Sequence, residues 1–127
     1  MKSLLFVFVG GGAGSVIRFC ISMVWKHMNL HPRYSEVVFP WPTFVVNILG
    51  CFLIGMFYQY SERWGLSPDM RLMLTTGFCG GFTTFSTFSY EGVTLLNGGL
   101  YSTYALYVGL SLVLGLIAAA IPLILHL

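Results

Sequence analysis

In the run Gly80 to Ser89 (GGFTTFSTFS), two glycines are followed by eight residues whose side chains are only phenyls and hydroxyls. Paired glycines release the backbone from helical geometry, and Thr83, Thr84, Ser86, Thr87 and Ser89 bring hydroxyls that lipid cannot satisfy. Irregular backbone at membrane depth survives only where it is buried in protein or lines a watery cavity. The strip therefore reads as part of a transport pathway; the plainer alternative is a Gly/Ser/Thr face for helix packing. Further donors are the Asn47 amide and the hydroxyls of Tyr107 and Ser111, and Phe85 and Phe88 lie one helical turn apart. A phenyl ring is negative on its face and positive at its edge, so rings met edge-on accept a small hard anion. Arg18 carries the sign that suits such a ligand, which favours an anion pathway over a cation pathway. Each of these residues also has a duller role open to it. Phe85 and Phe88 could be packing aromatics, and Arg18 could anchor on backbone carbonyls or snorkel. Glu91 could carry a proton or ion, or pair with an arginine.

These side chains need elements to hold them, and composition sets what those are. Of 127 residues, 57% are hydrophobic and 8% charged, with a mean hydropathy of +0.83; soluble domains carry about a quarter charged residues. The chain reads as an all-α integral membrane protein, a single domain over 1–127. A spanning helix takes about 20 apolar residues, which leaves room for four spans and little else. A net charge of +2 without a basic cluster argues against nucleic acid. Cys20, Cys51 and Cys79 lack metal-ligand or disulfide spacing and read as small packing residues, while His27, His31 and His126 fall near segment ends. Lys2 and the apolar run behind it continue past any cleavage point, so the segment reads as a retained first helix.

The spans are expected at about 4–25, 43–60, 71–97 and 102–125. In the first, Gly10, Gly14 and Arg18 recur every four residues and share a face. Residues 29–42 form the longest loop, punctuated by Pro32, Pro40 and Pro42; Pro42 suits the first turn of the second span. Thr43, Asn47, Cys51 and Gly55 share a face of that helix. A polar loop, Ser61 to Asp69, leads into the third span, which Gly80 and Gly81 are expected to break at its middle. Broken spans bring backbone carbonyls and dipoles to ions at the midplane. Gly98 and Gly99 mark a turn, after which Tyr104, Tyr107, Ser111 and Gly115 run as a stripe along the fourth span.

With four spans, Lys2, Arg63 and Arg71 lie on one side and Lys26 and Arg33 on the other. Three against two is hardly a positive-inside bias, so the chain is free to insert in either orientation. Two oppositely oriented copies could then pair, giving an inverted repeat from two molecules.

The chain resembles the Fluc family of small bacterial fluoride channels. The segments that carry the resemblance are GGGAGSVIRF in the first span, TFVVNILG in the second, TTGFCGGFTTFSTFSYE in the third and the Tyr107 to Ser111 pairing in the fourth. Pro42 departs from relatives that often place glycine before the threonine. The resemblance implies a dual-topology antiparallel homodimer in the bacterial cytoplasmic (inner) membrane, with two fluoride pores along the subunit interface and no catalysis. Carried over by motif, Phe85 and Phe88 line the pore, Asn47 coordinates fluoride, and Ser86, Thr87, Tyr107 and Ser111 form a polar track. Arg18 sits at the vestibule, with Thr43 and Glu91 near the pore. The backbone carbonyls of Gly80 and Thr83 from both copies are expected to hold a structural Na+. The function implied is passive export of trapped fluoride. The competing reading is a small dual-topology proton-coupled multidrug transporter, a mechanism that wants an acidic residue in the first span, where this chain has Arg18.

Overall fold

A computed structural model describes residues 1–28 and 39–125, and all regular structure among them is helical. Residues 29–38 of the expected long loop, with His31 and Arg33, and His126 lie outside the described residues. In chain order the elements are α1 (Lys2–Met28), α2 (Trp41–Tyr60), α3 (Pro68–Leu72), a π-helical segment (Met73–Cys79), α4 (Gly80–Phe82), α5 (Phe85–Asn97) and α6 (Tyr101–Ile124). With 27, 20 and 24 residues, α1, α2 and α6 are long and apolar enough to cross a membrane. The protein is a multi-pass membrane protein.

Local chemistry explains where these elements begin. Pro42 falls in the first turn of α2, where a missing amide proton is harmless. The third hydrophobic element starts at Pro68 rather than near Arg71, because Ser67 caps it: the Ser67 hydroxyl accepts from the Met70 amide at 3.2 Å, and Asp69 sits in the first turn. Gly65 and Gly99, at φ of 66° and 76°, make turns that a side chain would strain. Pro122 lies inside α6, and its carbonyl accepts from the Tyr60 hydroxyl at 3.4 Å, tying the ends of α2 and α6 together.

Two packing seams organise the molecule. Along the first, α1 lies against the π segment and α4 at backbone contact. A methyl on Gly10 would strike the Met73 carbonyl, and one on Gly14 would strike the Phe78 carbonyl and the Phe82 amide. The expected glycine stripe therefore does close packing. In the second seam α2 meets α6, where Gly55 faces the Ala119 backbone and Gly115 faces Cys51 and Ile48. Val46, Phe82, Leu95 and Tyr107 fill the interior, while Leu4, Phe8, Phe19 and Leu116 face outward, as in a protein whose solvent is hydrocarbon. Among the cysteines, Cys79 is buried, Cys51 half-buried and Cys20 exposed.

The glycine pair does not itself interrupt the chain. Gly80 is helical, at φ −63° and ψ −37°, and α4 runs through Gly81 to Phe82. Extended backbone comes three residues later than expected, at Thr83 (φ −84°, ψ 159°) and Thr84 (φ −148°, ψ 120°). Gly81 instead admits a neighbouring helix, since a methyl there would strike the Gly11 carbonyl of α1.

Candidate functional site

Where α4 gives way to α5, the two extended threonines need partners for backbone groups that no helix satisfies. Asn47, on α2, supplies them. Its Oδ1 accepts from the Thr84 amide at 2.8 Å and its Nδ2 donates to the Thr84 carbonyl at 3.1 Å. This pairing also fixes which way the amide points, since a backbone N–H can only donate. Thr84 then begins α5 by accepting from the Thr87 amide through its own hydroxyl at 3.2 Å. The Ser86 hydroxyl lies 3.4 Å from that of Thr84, and Ser86 is exposed.

Beside this junction is a cavity of about 370 Å³ between α2, α4, α5 and α6, whose wall includes Asn47, Gly80, Thr83, Phe85, Phe88 and Ser111. Six of the residues singled out from the sequence thus meet at one place. Among the described residues the wall holds no carboxylate and no cation. Asn47 uses one of two Nδ2 protons on Thr84, leaving the second as a donor. The hydroxyl of Ser111 is buried and has no hydrogen-bond partner among the described residues. The Phe85 and Phe88 rings are 6.0 Å apart and tilted by 38°. Phe85 is 79% exposed, whereas Phe88 is half-buried.

Behind the cavity, Phe88 packs on Tyr107 with ring centroids 5.0 Å apart. Tyr107 is fully buried, donates to Glu91 Oε1 at 3.0 Å, and meets the edge of Phe39. Buried Thr43 lies beside this group. Among the described residues the carboxyl is held by the Tyr107 hydroxyl of α6 rather than by an arginine. Arg18 is elsewhere: its Nε donates to the Gly81 carbonyl at 3.2 Å, with the Ser15 hydroxyl donating to the same oxygen at 3.4 Å. Of the two roles open to Arg18, this is anchoring on a backbone carbonyl, on the α1 side of α4. No cluster of His, Cys, Asp or Glu able to hold a metal occurs among the described residues.

Chemically, the wall offers neutral donors and two phenyl rings, and the acceptor of its one amide is turned away to the backbone. It is suited to a desolvated anion; no nucleophile with an adjacent base lines it. The sequence reading overlooked the Asn47 to Thr84 pairing. A threonine directly before a helical stretch is a cap signal that was available for Thr84, whereas nothing in the sequence joins it to a residue 37 positions away.

Residues 5–123 match the family described as CrcB-like protein, Camphor Resistance (CrcB). Among relatives, a fluoride-specific ion channel FluC of Bacteroides fragilis is 49% identical over 118 residues, covering 93% of this chain and 91% of that protein. One from Phocaeicola vulgatus is 51% identical over 117 residues, covering 92% of each. A third, from Flavobacterium psychrophilum, is 43% identical over 119 residues, covering 93% and 91%.

Proposed function

Because this chain belongs to the CrcB-like protein family, we propose that it is a fluoride-selective ion channel through which cytoplasmic fluoride leaves passively, down its own gradient. The observation that carries this reading is the near-full-length similarity, at about half identity, to proteins named as fluoride-specific channels. The geometry supports it. Fluoride is small and strongly hydrated, so a pathway must replace its lost water with hydrogen bonds. The second Asn47 proton, the unpartnered Ser111 hydroxyl and the Phe85 and Phe88 rings, whose edges are positive, share one wall. Tyr107, Thr43 and Glu91 brace the wall from behind, and Ser86 and Thr87 continue the hydroxyl track along the first turn of α5. Chloride, larger and a weaker acceptor, gains less from the same donors.

The functional unit in this reading is an antiparallel homodimer of dual topology in the bacterial inner membrane, with two pores at the subunit interface. The segments from α3 to α5 together form the third of four spans, broken at Thr83 and Thr84. Support comes from the exposure of the Phe85 ring on the cavity wall and from the nearly even distribution of Lys and Arg. A structural Na+ fits the same break, at the carbonyls of Gly80 and Thr83 from each copy. An unbroken helix would send the Thr84 and Thr87 amides to those two oxygens, and here both amides are bonded elsewhere. When bound, such an ion supplies a fixed positive charge that holds two copies together.

Efflux from proteoliposomes tests the function. Fluoride should leave selectively over chloride and without movement of protons beyond charge balance. Efflux that requires an imposed proton gradient would instead favour a coupled transporter.

A further inference from the structure

The carbonyls of Gly80 and Thr83 are left without their helical donors by the same break, but through two different side chains. In an α-helix the amide of residue i bonds the carbonyl of residue i−4. The Thr83 amide still obeys this rule, reaching the Cys79 carbonyl at 3.0 Å. One residue later the rule fails: the Thr84 amide is held by Asn47 Oδ1 at 2.8 Å, so Gly80 loses its donor. Next, the Gly81 carbonyl is compensated by Arg18 and Ser15. The Thr87 amide is then held by the Thr84 hydroxyl at 3.2 Å, and Thr83 loses its donor. The Gly80 and Thr83 oxygens are thus vacated, while the one at Gly81 is filled from α1.

We propose that Asn47 and Thr84 are the positioning residues of the cation site: their side chains hold the Thr84 and Thr87 amides away from the Gly80 and Thr83 carbonyls and keep those oxygens open to Na+. The inference rests on the reading of these carbonyls as a cation site and adds which side chains create it. It also gives Asn47 two duties. Its Oδ1 keeps the cation oxygen open, and its amide, with one Nδ2 proton unused, lines the anion cavity. One amide therefore joins the structural cation to the conducting path, and the cation affinity and the pore wall stand or fall together at this residue.

The test is the thermal unfolding midpoint of the purified dimer, titrated with NaCl against choline chloride, in the wild type and in Asn47→Leu, Thr84→Val and Thr84→Ser. A ligand that binds only the folded state raises the midpoint with concentration. Removing a group that orients metal ligands weakens binding by about tenfold or more. Asn47→Leu and Thr84→Val should therefore each need at least about tenfold more Na+ for the same rise. Thr84→Ser keeps the capping oxygen and should stay close to the wild type, which loss of packing alone would not predict. If the wild type responds to Na+ and both leucine and valine variants respond at the same concentration, the positioning role is wrong and the cation site stands. A wild type that responds equally to choline overturns both. Should Asn47→Leu fail to fold, Thr84→Val, nearly isosteric with the native residue, decides alone.

Discussion

A buried hydroxyl with nothing to bond destabilises a fold by about 1–3 kcal/mol, and Ser111 carries one at the cavity wall. A protein that keeps such a group uses it for something other than stability. Ser111→Ala should leave the unfolding midpoint unchanged or higher while slowing fluoride efflux; an alanine variant that conducts as the wild type removes Ser111 from the path. The rings make a second case. Phe85→Ile and Phe88→Ile remove an aromatic edge worth about 0.5–1.5 kcal/mol per contact, so efflux should fall up to about tenfold in each. Dimer content on gel filtration should hold. Undiminished efflux in both variants would make these rings packing aromatics. The chemistry of this wall was legible in the sequence because it depends on residue type: donors with aromatic edges, and no acid. Which donors remain free was not legible. That depends on what Asn47 and Tyr107 bond, and their partners, Thr84 and Glu91, lie on other elements.

At the scale of elements, close approach between α1 and the π segment sets what glycine must do. Gly14→Ala would drive a methyl into the Phe78 carbonyl, a backbone atom that cannot swing away, whereas a methyl on Gly12 meets nothing within 4 Å. Gly14→Ala should therefore lower the unfolding midpoint markedly. Gly12→Ala should raise it slightly, because alanine favours a helix over glycine by about 0.5–1 kcal/mol. Equal midpoints in the two variants would mean that α1 does not pack along this stripe. The four-residue spacing of Gly10 and Gly14 made the seam readable from the sequence. The same reasoning misplaced the interruption near Gly80 and Gly81, since a glycine that admits a neighbouring backbone and one that bends its own chain look alike in a sequence. Gly81 is the former, set against Gly11. The start of α3 was also readable, in Ser67, Pro68 and Asp69, once treated as a cap rather than a loop.

For the whole molecule, orientation follows from a small imbalance in Lys and Arg, and a small imbalance is easily tipped. Lys26→Gln with Arg33→Gln leaves three positive residues against none. Lys2→Gln with Arg63→Gln and Asn97→Lys leaves one against three. Each variant expressed alone should insert one way and lose most fluoride efflux, and co-expression should restore it. Either variant conducting fully alone would rule out the antiparallel pair. The π segment bears on the molecule at this scale too. Its wide turns, Met73–Cys79, lie upstream of every residue from Gly80 onward and against α1. Deleting a single residue there would shorten the chain by little yet rotate everything downstream about the axis, a step that in an α-helix amounts to about 100°. Gly81 would then point away from Gly11, and the threonine junction away from Asn47. This stretch should consequently tolerate exchange of side chains far better than any change in its number of residues, and natural variation in length should be confined to the loops.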